Sequence, residues 1–422
     1  MLLRFFSLLA LALLLMGQSN PQGNPLAKPQ AKADPQALYK AGYDARVAGH
    51  YDDAIRLLSA AIASGKLNDD DRATSYNNRG MAYAATGAPD KAVADYSMAI
   101  KIAPVYGPAY LNRGNVFLDA GKYDEAIADF NRAIITFPGY ALAYNSRGAA
   151  YYSKGNLNAA LADLDTAIKL KPDYGNAYWN RARVYASGGD NAKALADLNQ
   201  AIRFKPQEAD MYDERGVIRS VGNDDNGAVA DFTKAIELDA KMASAFNHRG
   251  NSYFALGKID AALADYDSAI RIEPDFSDPY TNRGRIELFH RNRPADAAND
   301  LSNGVRLDPK DIYGVLWLHI ARTRTGTADH DELVGNAAKF DDRSWPRPLL
   351  DLFLGKTTPE DVRHAAGKAD EHCEADFYLG EFDLEKNARD EAKKLITAAA
   401  KGCSADMLEK SAASAELARL SQ

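Results

Sequence analysis

Residues 110–138 read YLNRGNVFLDAGKYDEAIADFNRAIITFP, and their spacing decides the fold. Tyr110, Gly114 and Phe117 recur at i, i+4 and i+7, which places them on one face of a helix. Gly114 carries no side chain, so a neighbouring helix can approach closely. Gly121 suits the left-handed position that ends such a helix. Ala126, Phe130 and Ala133 then repeat the helical spacing, and Pro138 stops the second helix. The stretch predicts two short helices joined by a glycine turn, with small residues where they meet. One hairpin cannot bury both its faces, so copies must stack.

Those copies are present. The motif recurs as Asn78-Arg79-Gly80, Asn112-Arg113-Gly114, Ser146-Arg147-Gly148 and Asn180-Arg181-Ala182. It continues as Glu214-Arg215-Gly216, His248-Arg249-Gly250 and Asn282-Arg283-Gly284, with successive arginines 34 residues apart. A divergent copy precedes them from about Leu38, with extra residues after Ile62. The last copy carries about one extra residue around Arg291–Pro294.

With Tyr110, Gly114, Phe117, Ala126, Phe130, Ala133 and Pro138 at its signature spacing, the chain resembles the tetratricopeptide-repeat (TPR) family. The resemblance covers about Leu38–Gly314 as eight copies, cut at about 38–75, 76–109, 110–143, 144–177, 178–211, 212–245, 246–279 and 280–314. It implies an all-α, right-handed solenoid of helix hairpins whose first helices line a concave groove. Six of the 22 tyrosines (Tyr76, Tyr110, Tyr144, Tyr178, Tyr212 and Tyr280) form one column of the repeat.

Two further columns depart from plain apolar packing. The arginines, Arg79 to Arg283, stand where the family usually has leucine. Sixteen residues after them come Asp95, Asp129, Asp163, Asp197, Asp231 and Asp265. The match predicts a structural ladder of charge-assisted hydrogen bonds, exemplified by Arg113–Asp129, Arg147–Asp163 and Arg181–Asp197. Losing the aspartate is expected to cost more than losing the arginine. The alternative has the arginines facing the groove and binding acidic ligands. The asparagines Asn78, Asn112, Asn180 and Asn282 form a broken column resembling the asparagine ladder of TPR proteins that bind extended peptides. An amide both donates and accepts, matching a peptide bond; local capping and groove solvation are the other reading. The resemblance also turns Asn77, Asn115, Asn145, Tyr152, Trp179, Arg183, Asp213, Asn247, Asn251, Phe254 and Arg285 towards the groove. Trp179 and Tyr152 are its expected anchors, since aromatics dominate binding hot spots. The paired lysines and arginines with which some TPR co-chaperones clamp a C-terminal carboxylate are missing.

The ends differ from the repeats. Arg4 precedes the apolar run Phe5–Met16, too short to span a bilayer, and Gly17 and Ser19 give a small-x-small pattern. Residues 1–19 are therefore expected to be a signal peptide, and the proline-punctuated stretch 20–36 a disordered linker. No cysteine near the cut would carry a lipid. Residues 315–370 read as a degenerate helical extension, 371–403 as a final TPR-like hairpin and 404–422 as a capping helix. In that hairpin Cys373 opens the first helix and Cys403 closes the second, so antiparallel packing would bring them within disulfide reach; two separate buried thiols are the alternative. Phe377–Gly380 before an alanine-rich helix is similar to the terminus of bacterial outer-membrane TPR lipoproteins that scaffold cell-wall hydrolases and a periplasmic protease. Without the lipidation cysteine, this chain is expected to be soluble in the periplasm.

No catalytic constellation emerges. The seven histidines form no HExxH, and the glycines before Lys122 and Lys258 have the wrong spacing for a phosphate loop. With 58 acidic against 51 basic residues the net charge is −7, which argues against a general nucleic-acid binder. The sequence thus predicts a non-enzymatic protein- or peptide-binding scaffold needing no cofactor or metal. Its partners would be one or more proteins or peptides, among which the C-terminal resemblance offers a cell-wall hydrolase or periplasmic protease as candidates, with no nucleic acid and no stable membrane span. A structural subunit of an envelope complex, using its convex face or ends, is the alternative, and a homodimer stays open.

Overall fold

The structure is a computed structural model that describes residues 34–404 and 407–421. The expected leader 1–19 and the linker as far as residue 33 lie outside the described residues. The linker was expected to reach residue 36, but Pro35 and Gln36 already open a helix. The Asp34 carboxylate accepts the Gln36 N–H at 3.3 Å, and Pro35 sits at the first helical position, where a missing N–H costs nothing.

Two compact units, divided after Pro206, are described separately. The first holds α1 (Pro35–Val47), α2 (Tyr51–Ala63), α3 (Asp69–Ala85), α4 (Pro89–Ile102) and α5 (Gly107–Asp119). It continues with α6 (Tyr123–Thr136), α7 (Ala141–Ser153), α8 (Leu157–Leu170), α9 (Gly175–Ser187) and α10 (Asn191–Phe204). The second unit begins with α11 (Ala209–Val221), α12 (Asp225–Leu238), α13 (Ala243–Ala255) and α14 (Ile259–Ile272). Then come α15 (Ser277–Phe289), α16 (Pro294–Leu307), α17 (Ile312–Arg324), α18 (His330–Ala337) and α19 (Arg347–Phe353). The last are α20 (Pro359–Ala365), α21 (Ala369–Glu385), α22 (Arg389–Gly402) and α23 (Leu408–Leu420). The described residues contain no strand.

Through α16, each odd-numbered helix packs on the even one after it. Successive first helices also touch: α1, α3, α5, α7 and α9 in the first unit, and α11, α13, α15 and α17 in the second. Each unit thus presents first helices on one side, the inner side, and second helices on the other. The close approach falls where the sequence placed it. A Cβ on Gly114 would lie 2.6 Å from Cε1 of the Phe130 ring. Gly121 turns the chain at φ 71°, and Asn223, Asn292 and Asn387 take the same left-handed place in later hairpins.

The boundaries shift in a regular way. Cutting the repeats at the tyrosine column starts each copy late, because the first helices begin three residues earlier, at Gly107, Ala141 and Gly175 for example. α3 begins seven residues before Tyr76, capped by Asn68, whose side chain accepts the Asp71 N–H at 2.8 Å. At the other end, a cut at Gly314 falls inside α17, which Asp311 caps through the Gly314 N–H at 3.0 Å. Thr358 and Asp361 form a capping box on α20.

The cores differ as well. Around Phe130 a small cluster joins Ala126, Ala133, Ala143 and Ala150. In the second unit one continuous cluster runs from Leu288 through Trp317, Leu350 and Phe377 to Leu420. A disulfide joins Cys373 to Cys403, whose Cα atoms lie 5.3 Å apart.

Candidate functional site

Most column arginines occupy a socket of one plan. Arg147 donates through Nε and Nη2 to the two oxygens of Asp163, both at 2.6 Å, and through Nη1 to Asn131 Oδ1 at 2.5 Å. Its guanidinium also lies over the rings of Tyr144 (5.5 Å) and Tyr151 (6.0 Å). Arg113 repeats this with Asp129, Ser97, Tyr110 and Phe117. Arg181 does so with Asp197, Asp165, Tyr178 and Tyr185. Arg79 and Arg249 follow the same plan. Arg283 meets Asp300, seventeen residues on, because its hairpin turn carries the additional residue. The aspartate lies on the same hairpin's second helix and the Nη1 acceptor on the preceding one. Arg79, Arg113, Arg147, Arg181, Arg249 and Arg283 therefore each stitch two neighbouring hairpins, with their donors spent on these partners rather than turned towards a ligand.

The asparagines are engaged too. Asn112 Nδ2 donates to Asn77 Oδ1 at 2.9 Å, Asn180 to Asn145 at 2.9 Å and Asn282 to Asn247 at 3.1 Å. His248 and Asp213 make the equivalent bridge at 2.9 Å. Burial opposes protonation of His248, but the Asp213 carboxylate outweighs it and raises the pKa above the ordinary value. Asn78 donates to Thr74 O at 2.9 Å. Of the expected amide ladder, Asn78 is buried, as are Asn77, Asn145 and Asn247, while Asn112, Asn180 and Asn282 are half-buried and staple successive first helices through Nδ2.

The other expected inner-side residues form two groups. In the first unit, Tyr152 on α7 bonds Ser187 Oγ on α9 at 2.9 Å, while Arg183 lies 5.2 Å over the Tyr152 ring. Trp179, one turn before Arg183, is half-buried, as is Asn115 on α5. In the second unit Asn251 is exposed and accepts from Tyr266 Oη at 2.7 Å. Phe254 stacks edge-on with His290, 5.1 Å between centroids. Arg285, expected to face an open groove, is 3% exposed. It lies between Phe254 (4.9 Å) and Trp317 (5.6 Å) beneath α23, and burial lowers its pKa from the ordinary value.

A pocket of about 770 Å³ opens in the second unit among α17, α21 and the end of α23, lined by His319, Arg324, Glu381, Glu385, Arg389 and Arg419 among others. His319 lies 2.7 Å from Asp329 and 3.4 Å from Glu385. Burial opposes its charge, yet the two carboxylates hold its pKa at about 9. Among the described residues no group of three or more His, Cys, Asp or Glu is placed to hold a metal ion, and no helix is long and apolar enough to cross a membrane.

Residues 39–106, 111–173 and 150–209 match a tetratricopeptide-repeat family model, and residues 243–276 match a second one. The chain is a tetratricopeptide-repeat protein. TPR proteins generally act as protein-binding scaffolds. Among solved structures, the APC/C hetero-tetramer Cut9–Hcn1 is 18% identical with TM-score 0.51, over 64% of this chain and 52% of that one. A tetratricopeptide repeat protein from Parabacteroides merdae is 21% identical with TM-score 0.46, covering 57% of this chain and 93% of its own. YrrB, described as a TPR protein with an unusual peptide-binding site, is 22% identical with TM-score 0.37, covering 44% and 95%. No curated protein matches the sequence.

The aromatic sockets of this TPR chain had a signal that the sequence reading missed. An aromatic falls three before each arginine and, except after Arg215 and Arg283, another falls four after it, the two positions that flank a helical side chain.

Proposed function

We propose that this TPR protein is a non-enzymatic adaptor, exported to the periplasm, that holds a protein or peptide against the inner side of its first unit. The supporting observation is the cluster of Tyr152, Trp179, Arg183 and Ser187 on α7 and α9. It sets two large aromatics and a guanidinium on a face whose backbone-like amides are already bonded to one another. Recognition by such a face reads side chains, through aromatic contact and charge-assisted hydrogen bonds. A cell-wall hydrolase or periplasmic protease is the partner class that the C-terminal resemblance favours.

The test is co-purification from the periplasmic fraction with Tyr152→Ala/Trp179→Ala. The doubly substituted protein is expected to keep its circular dichroism and lose its partner. A folded variant that retains the partner would overturn the reading, and recovery of the protein from cytosol with Met1 intact would overturn export. A second reading, a structural subunit using the outer side, draws on Met98 and Ile135, apolar side chains exposed on α4 and α6.

A further inference from the structure

α23 is an unusual end-helix. Its buried positions are Glu409, Ala412, Ala413, Glu416 and Leu420, one face by spacing, and two of those five are carboxylates. A helix that merely seals a core buries apolar side chains and leaves its acids in water. Here the buried acids stand seven residues apart: Glu416 pairs with Arg324 on α17, while Glu409 meets the Tyr378 hydroxyl and feels Arg285 on α15 without an ion pair to it. Arg324 lies 2.9 Å from Glu416 and also donates to Glu381 on α21. Tyr378 Oη donates to Glu409 at 3.4 Å. The fit is incomplete: Arg285 Nε and Nη1 and Arg324 Nη1 are buried without a hydrogen-bond partner. Buried guanidinium donors left unpaired cost free energy, so the surface favours an occupant that satisfies them better.

We propose that the face formed by α15, α17 and α21 is a binding site for an amphipathic helix with two carboxylates seven residues apart, which α23 occupies in cis and a partner helix of that pattern takes by displacing it. Arg285, stacked between Phe254 and Trp317, and Arg324, 5.3 Å over Phe289, are its two recognition cations. The Cys373–Cys403 bond ties the first turns of α21 to the end of α22, so that hairpin stays closed when α23 leaves. The site lies wholly in the second unit and does not depend on the Tyr152–Trp179 cluster.

The experiment uses the full chain and, as probe, a labelled synthetic peptide of its own residues 404–422. Glu409→Lys/Glu416→Lys in the chain should release α23 and raise peptide affinity at least tenfold over wild type. Adding Arg285→Glu should abolish that gain, and a peptide carrying both lysines should not bind. A folded release variant that binds the peptide no better than wild type would overturn the proposal. Hydrogen exchange on the wild-type chain guards against misfolding of the variant. α23 amides are expected to exchange through an opening that leaves α17 and α21 protected; exchange of all three only together would equally overturn it.

Discussion

The hairpins of the first unit and the α17–α23 region of the second solve the same problem differently. In the first unit, the hairpins from α3 to α10 repeat one socket: an arginine between two rings, a bidentate aspartate and a third acceptor on the previous hairpin. Near the C-terminus the buried charges are singular. Arg285 has rings but unmatched donors, Arg324 serves two glutamates, and His319 is held by two acids. Around these runs one large apolar cluster, closed by a disulfide. Where the socket repeats, the arginine's donors are met, while unmatched groups on Arg285, Glu287, Arg324 and Glu416 lie where repetition ends. In the first unit Arg46 Nε and Ser75 Oγ are unmatched.

The sharpest way to break that contrast is to remove one half of a socket. Side-chain exposure is 9% for Asp163 and 18% for Arg147, so the aspartate is the deeper partner. This revises the sequence-based expectation that losing the aspartate is the worse change. Asp163→Leu and Arg147→Leu should each cost about 3–5 kcal/mol at pH 7, and the double substitution far less. Denaturant melts of the three variants check this; a double substitution that costs as much as the two singles summed would contradict it.

Reducing Cys373–Cys403 should destabilise the second unit by about 3–4 kcal/mol and leave the first unit unchanged, in the chain-entropy view of a loop of this length. Proteolysis with and without reductant, read by fragment mass, separates the units. His319 gives a graded effect. Its folded pKa of about 9 stands above the ordinary 6.5, so its stabilisation is complete below about pH 6.5 and is lost as pH rises through 9. His319→Gln should flatten that slope in thermal melts. Gly114→Ala should cost about 1–3 kcal/mol, because a Cβ there meets the edge of the Phe130 ring. Hydrogen exchange should place that loss in the hairpin of α5 and α6.

The sequence carried the repeated parts well. The 34-residue period gave the hairpins, and the sixteen-residue offset gave the Arg–Asp pairs. Asn112 and Asn77 escaped notice as partners because they belong to different columns 35 residues apart. Each looked like a groove residue when considered within its own copy. Arg285 was placed in an open groove because its column is inward-facing, but no periodic signal announces that α23 will cover it. Glu409 and Glu416 occur once, on an alanine-rich helix, and their burial depends on arginines far away in sequence.

The central claim is that the inner side of the first unit receives the partner through side chains. Photo-crosslinking in intact cells tests it most directly, with a photoreactive residue placed singly at Asn115 or Tyr152 on first helices and at Met98 or Ile135 on second helices. The account predicts partner adducts from positions 115 and 152 and none from 98 and 135. Adducts confined to positions 98 and 135 would contradict it and give the outer side the binding role.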